Sequence, residues 1–346
     1  MIVLVTVVLE NFRAVRRAVR RHGRPPPGAL GSPGTVPADL IAQMGGRLLA
    51  VDWERGEVVR EWRLPTPAGL CWPRADGPLF VASAYEDALL TVTPEDGEVA
   101  RWSLPSMSDL HSVVPDGDGF LLTSSGVDAV LRIDAHGRLD AAWWATAHGW
   151  NTAASGQHRQ LDIHADHRGS RPPTLHRVLH PTMARRIDGR VVVVSFHKGW
   201  VARVDLHTGA CTVLRGGLDH PHGLTVIPPD VCQRWGLSVD GPVWMVCDTG
   251  RGCVRLMHGP HLEDCRVFSG LRWVQDACVT PDGQLFVLDG LHFGRGRGGH
   301  DLVELDPHTG AARKTVSWSA DWRLFGLLPL DAARSARILG GTRGGA

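Results

Sequence analysis

The sequence predicts an all-β fold: a six-bladed β-propeller closed by N- and C-terminal strands that share one blade. Three observations predict it. A hairpin phrase recurs six times, a short apolar strand precedes the repeats six times, and the two chain ends carry complementary parts of a single repeat. Self-similarity at this spacing is the signature of a repeat architecture, and four strands per repeat is that of a propeller blade.

The hairpin phrase is apolar-x-apolar-Asp, a short polar turn often containing Gly, and a second β-rich run. It reads LLAVDWERGEVVREW at 48–62, LTVTPEDGEVARW at 90–102 and VLRIDAHGRLDAAW at 130–143. It returns as VARVDLHTGACTVL at 201–214, in degenerate form as VRLMHGPHLEDCRVF at 254–268, and as LVELDPHTGAARKTV at 302–316. Alternating strand residues around an Asp/Gly turn specify a hairpin. Another strand precedes most copies, as in LFVASAYEDA (79–88), FLLTSSGVDA (120–129) and VVVVSFHKGW (191–200). The innermost strands are AGLCW (68–72), LHSVV (110–114), LHPTM (179–183), PHGLT (221–225), QDACV (275–279) and LFGLL (324–328). The first hairpin has no inner strand before it and the last inner strand has no hairpin after it. Joining them closes the ring and removes an exposed sheet edge.

The propeller is thereby assigned to residues 47–332. Residues 1–46 are an N-terminal extension that the repeat does not place, with a basic helix expected over 11–22, and residues 333–346 are expected as a flexible tail. The polar stretch 148–175 (HGWNTAASGQHRQLDIHADHRGSRPPTL) is read as a lid-like insertion, and 229–241 enlarges a later blade. The apolar run 1–10 lacks a basic lead, is too short to span a bilayer and has no small-residue cleavage site.

Of the 346 residues, 43% are hydrophobic and 21% charged, and the formal net charge is +1, which gives no electrostatic case for nucleic acid or an anionic membrane. The seven cysteines are scattered without CxxC pairs, which fits a reduced cytoplasmic setting better than a disulfide framework. No Walker loop, dinucleotide-binding glycine fingerprint or GxSxG elbow is present.

Two phrases carry a resemblance. HPHGLTVIPP (220–229) looks like the start of an NHL blade, and WVQDACVTPDGQLFVLD (273–289) matches that pattern more fully. Over roughly 47–330 the chain resembles the NHL-repeat, gluconolactonase-like and peptide-amidating-lyase propellers. The resemblance implies the architecture; the reactions found on it include lyases, lactonases and cyclases, beside pure binding modules.

Aligning the inner strands on their apolar residues puts Ala68, His111, His180, His222, Asp276 and Phe325 at one position. Inner strands surround the channel of a propeller, so three imidazoles and a carboxylate are expected near the axis. Those are ligands for a divalent transition metal, with zinc, iron and manganese all compatible. The resembling amidating lyases also gather histidines from separate blades onto one zinc, although here the blades are adjacent.

The loops opening on the same face supply Tyr85, Glu86, Ser124, Ser125, His197, Lys198, Asp248, Arg251, His292 and Arg295. Tyr85, His197 and Arg251 are the catalytic candidates, the first two as acid or base and Arg251 as a carboxylate clamp. The DIHADH stretch (162–167) reads as lid material rather than a second metal site, and Trp143, Trp144, Trp150 and Trp200 as wall or inter-blade packing. The expected function is a metal-dependent lyase or hydrolase acting on a small molecule at the top of the channel. Its alternatives are a non-haem iron oxidoreductase at the same site and a non-catalytic propeller that binds a ligand or a protein.

Overall fold

Six four-stranded antiparallel sheets make up a computed structural model of the chain, which describes residues 1–14, 43–170, 172, 174–291 and 299–340. Five sheets are consecutive blades. Their inner strands are Pro67–Cys71, Leu110–Asp116, Pro181–Ile187, His222–Ile227 and Val274–Val279 for blades 1 to 5. Each blade then runs outward strand by strand, as the hairpin phrases predict.

Blade 6 closes the ring. Its inner strand, Arg323–Pro329, comes from the C-terminal end of the propeller, and the two outer strands are Arg47–Asp52 and Glu57–Arg63. Between them lies Ile2–Leu9, paired antiparallel with the strands on both sides. All eight residues of that strand are buried. The first nine residues are therefore part of the blade rather than of an unplaced extension. A near-continuous apolar run is what a strand covered on both faces requires.

The expected helix over 11–22 and the Gly-rich loop containing His292 and Arg295 lie mainly outside the described residues. At the other end, the expected tail forms a helix, Ala332–Gly340, over most of its length. It turns Ile338 into the core between blades 6 and 1 and stacks Arg334 and Arg337 over Trp72. The core is a set of clusters between neighbouring sheets, in which Trp53, Trp143 and Trp235 are fully buried. Trp143 also donates to the Gly209 carbonyl across the blade 2 to blade 3 gap at 3.1 Å, so it is inter-blade packing.

Buried carboxylates fasten the inner strands. Asp128, wholly buried at the start of the third strand of blade 2, accepts the backbone N–H groups of Val178, Leu179 and His180 at 2.7–2.9 Å. Asp289 does the same for Arg272 and Trp273. The insertion 148–175 is tied down on this face, with Arg159 paired to Asp128 and the Gly169 N–H donated to Asp87. Its Asp166 is paired with Arg168 and the His167 ring donates to the Asp162 carbonyl. The seven cysteines are free thiols, and among the described residues no helix is long and apolar enough to cross a membrane.

Candidate functional site

The six inner strands run in the same direction, so their N-terminal ends share one mouth of the channel. The backbone there is unusual in a repeated way. Pro67, Leu110 and Pro181 pair with Ser83, Ser124 and Ser195 at the ends of the second strands. The residue before each, Thr66, Asp109 and His180, is left-handed, with φ of 41°, 50° and 50°. In blade 4 the left-handed residue is His220, with φ of 51°, followed by Pro221.

This register corrects the alignment made from sequence. His111 and His222 each stand two places beyond a left-handed residue and are equivalent. His180 is itself the left-handed residue, and Thr182 occupies the equivalent place in blade 3. A register shift at the start of each of these strands is common to all of them. An apolar alignment matches LHSVV to LHPTM, whereas in the structure Leu110 is level with Pro181, two residues further along the second phrase.

The histidines nonetheless meet. His111, His180 and His222 line one cavity of about 140 Å³ with Tyr85, Arg177 and Arg323. The left-handed turn at His180 swings its ring to His111, with the two Nε2 atoms 2.9 Å apart. Arg177, which the repeat did not reveal, places Nη1 3.2 Å from His180 Nδ1 and pairs with the Asp109 carboxylate. His111 Nδ1 lies 3.3 Å from the Asp109 carbonyl oxygen and 3.8 Å from its carboxylate. Asp109, His111, His180 and Arg177 thus form a closed polar ring.

Donor chemistry fixes the tautomers. A guanidinium only donates, so His180 Nδ1 accepts and its proton sits on Nε2. That proton is donated to His111 Nε2, and His111 keeps its own proton on Nδ1, toward Asp109. His222 is held separately, with Nδ1 3.0 Å from both the His220 carbonyl and Thr249 Oγ1. Thr249 gives its hydroxyl hydrogen to the Val274 carbonyl at 2.6 Å. It therefore accepts from His222 Nδ1–H, which leaves Nε2 of His222 with a bare lone pair.

Burial keeps all three rings neutral. It is the largest cause in each case, pushing His111 down to about 4 against an attractive contribution from Asp109, with the Arg177 and Arg323 charges adding to the depression. His180 is lowered by burial and then by His111 and Arg177. Burial, His111 and Arg323 lower His222. Two guanidiniums, the Asp109 carboxylate paired with one of them and three neutral imidazoles therefore share a small cavity, whose remaining wall includes Phe196 and Phe325.

The other expected residues separate. Tyr85 lines the cavity, half-buried. His197 stands behind it, its ring 5.5 Å from His180 and its Nε2 donating to the Thr174 carbonyl at 2.7 Å. Arg251 lies outside the cavity wall, with its side chain 49% exposed and paired to Asp248. Asp276 belongs to a different cavity, toward the other mouth of the channel. The position equivalent to His111 in blade 5 is Gln275, because Val274 pairs with Asp289 at the level of Leu110 with Ser124. Of the Trp residues named as wall material, none lines the cavity.

This arrangement does not fit a three-histidine metal. Among the described residues no group of three or more His, Cys, Asp or Glu side chains has metal-site geometry. A metal on His180 Nε2 would move the ring proton to Nδ1, where it would face the Arg177 N–H groups. The carboxylate expected to complete the set, Asp276, is elsewhere. The Arg323 guanidinium beside the imidazoles further disfavours a metal cation. Of the residues the sequence did not flag, Asp109 had a readable signal, standing two before His111 as His220 stands two before His222.

No protein-family model matches the chain, and no curated protein matches it by sequence. Solved structures do. A protein of unknown function from Bacteroides caccae superposes with a TM-score of 0.55 at 14% identity, covering 81% of this chain and 93% of that one. A chain of a nidogen/laminin complex gives 0.56 at 12% identity over 94% and 97%. A protein described as a putative 6-phosphogluconolactonase from Bacteroides uniformis gives 0.49 at 15% identity over 92% and 83%. At these identities the first two likenesses support the fold alone and nothing about reaction.

Proposed function

We propose that the protein is an acid–base enzyme, a lyase or hydrolase, that acts on a small anionic molecule in the histidine-lined mouth. The observation that carries this reading is the tautomer of His222. Its Nδ1–H is committed to Thr249 and the His220 carbonyl, so its Nε2 lone pair is available to take a proton from substrate or from water. A ring kept neutral by burial is already in the base form at neutral pH.

The remaining groups take supporting roles. Arg323 makes the cavity positive, since the Asp109 carboxylate offsets Arg177, which favours an anionic substrate and the negative charge that develops when a proton is removed. The ring of Asp109, His111, His180 and Arg177 holds two imidazoles in fixed orientation, and the Tyr85 hydroxyl is the proton donor assigned to the leaving group. Phe196 and Phe325 exclude water from one side. No step here runs through a metal.

The test is a turnover screen of small carboxylates, lactones and phosphate esters on wild type, His222→Asn and Arg323→Gln, with ligand binding measured in parallel. His222→Asn is expected to lower kcat by about 10²–10⁴-fold with KM little changed, the scale of a lost general base. Arg323→Gln should chiefly raise KM. A His222→Asn variant as active as wild type would overturn the assignment. Binding without turnover would establish a binding propeller instead.

A further inference from the structure

The opposite mouth of the channel holds a second cavity, of about 330 Å³, to which all six inner strands contribute. It shares no lining residue with the histidine cavity. His180 and Arg185, one from each, lie five residues apart on blade 3, about 16 Å along a strand. Most of its wall is apolar, including Leu70, Val113, Met183, Val279 and Leu328.

Arg185 breaks that wall. Its Nε donates to the Leu224 carbonyl at 3.1 Å. Among the described residues no carboxylate lies within ion-pair distance of its guanidinium, and its two terminal nitrogens have no acceptor. Other half-buried arginines are treated differently. Arg132 and Arg255 each reach more than one aspartate, and Arg272 reaches Asp289 and Asp301. The carboxylate in the Arg185 cavity is Asp276, whose two oxygens each accept a backbone N–H, from Ala277 at 2.9 Å and Leu327 at 3.0 Å. Burial pushes its carboxyl up to about 7 against the attraction of Arg185, and no hydrogen bond joins the two groups. A guanidinium with no hydrogen-bonded counterion in a largely apolar wall is costly, and an anion placed on its terminal nitrogens relieves that cost.

We propose that this lower cavity is a binding site for a small organic carboxylate with an apolar body, held bidentately by the terminal nitrogens of Arg185. The planar fork of a guanidinium matches a carboxylate, and the apolar wall selects for a hydrocarbon tail over a bare inorganic anion. The volume falls at the small end of the range of ligand pockets. The site is independent of the acid–base reading of the other mouth.

Titration calorimetry on the full chain tests this with butanoate, hexanoate, octanoate and benzoate. Inorganic phosphate and chloride serve as plain anions, and hexanol as the uncharged body. Affinity should rise along the straight-chain series until the cavity is filled, and hexanoate should bind at least 10-fold tighter than hexanol or phosphate. Arg185→Met should abolish that preference, and His222→Asn should leave it intact. The proposal is overturned if hexanoate binds no tighter than hexanol, if its preference survives Arg185→Met, or if it is lost in His222→Asn. Should the methionine variant fail to fold, the wild-type series decides by itself.

Discussion

The acid sensitivity of the histidine mouth can be worked out for one ring. His111 is held down to about 4 when folded, chiefly by burial, whereas an imidazole in the unfolded chain titrates near 6.5. Between those values the unfolded state binds the proton and the folded state does not. Stability is therefore complete above about pH 6.5 and is lost as pH falls through the window. At pH 5.0 the solution is roughly 1.5 pH units below the unfolded value, and at about 1.36 kcal/mol per unit His111 alone removes about 2 kcal/mol. That is a measurable share of a total stability of about 5–15 kcal/mol.

The assay is urea unfolding of wild type and His111→Gln at pH 7.5 and pH 5.0. Buried groups remote from His111 contribute equally in both proteins and cancel in the comparison, whereas His180 and His222, which His111 helps to depress, shift with it. His180, His222, His197 and His300 act in the same direction. Asp276, raised to about 7, acts oppositely, because its folded form takes up the proton first as pH falls. Wild type should lose about 2 kcal/mol more than the variant between the two conditions. Equal losses would show that His111 titrates at an ordinary value, and the polar ring with Asp109, His180 and Arg177 would then be wrong.

Elemental analysis after expression in medium supplemented with zinc, iron and manganese should find well below one equivalent of each; a stoichiometric metal removed by His180→Ala would overturn the tautomer assignment. Asp128→Asn should destabilise the protein by about 3 kcal/mol, since it unpairs Arg159 and weakens a carboxylate that accepts three backbone N–H groups. A change below about 0.5 kcal/mol in urea unfolding would refute that role. Deleting residues 2–9 removes a fully buried strand paired on both sides, so the chain should show no cooperative thermal transition by circular dichroism. A retained transition would mean that the ring closes without it.

What the sequence determined by itself is the part governed by local pattern. Period-two alternation and Asp/Gly turns recur in every blade, and each copy is an independent vote for the same unit. The blade number and the sharing of one blade by the two ends followed from counting. The Ile2–Leu9 strand escaped because a strand buried on both faces has no alternation, and it lacks the hairpin phrase that marked its neighbours. The convergence of His111, His180 and His222 was anticipated, although for His180 by an alignment that the backbone does not follow. Only the tertiary structure decided the rest. A register shift in each inner strand, and a left-handed residue ahead of four of the six, set which side chains share a level, and these leave little trace in the pattern of apolar residues. Asp276 fell away from the histidines for that reason. Arg323 joined them through contacts between elements far apart in the chain, where spacing along the sequence carries no information about distance in space, and Arg177, three residues before His180, joined through a loop conformation that the repeat does not specify.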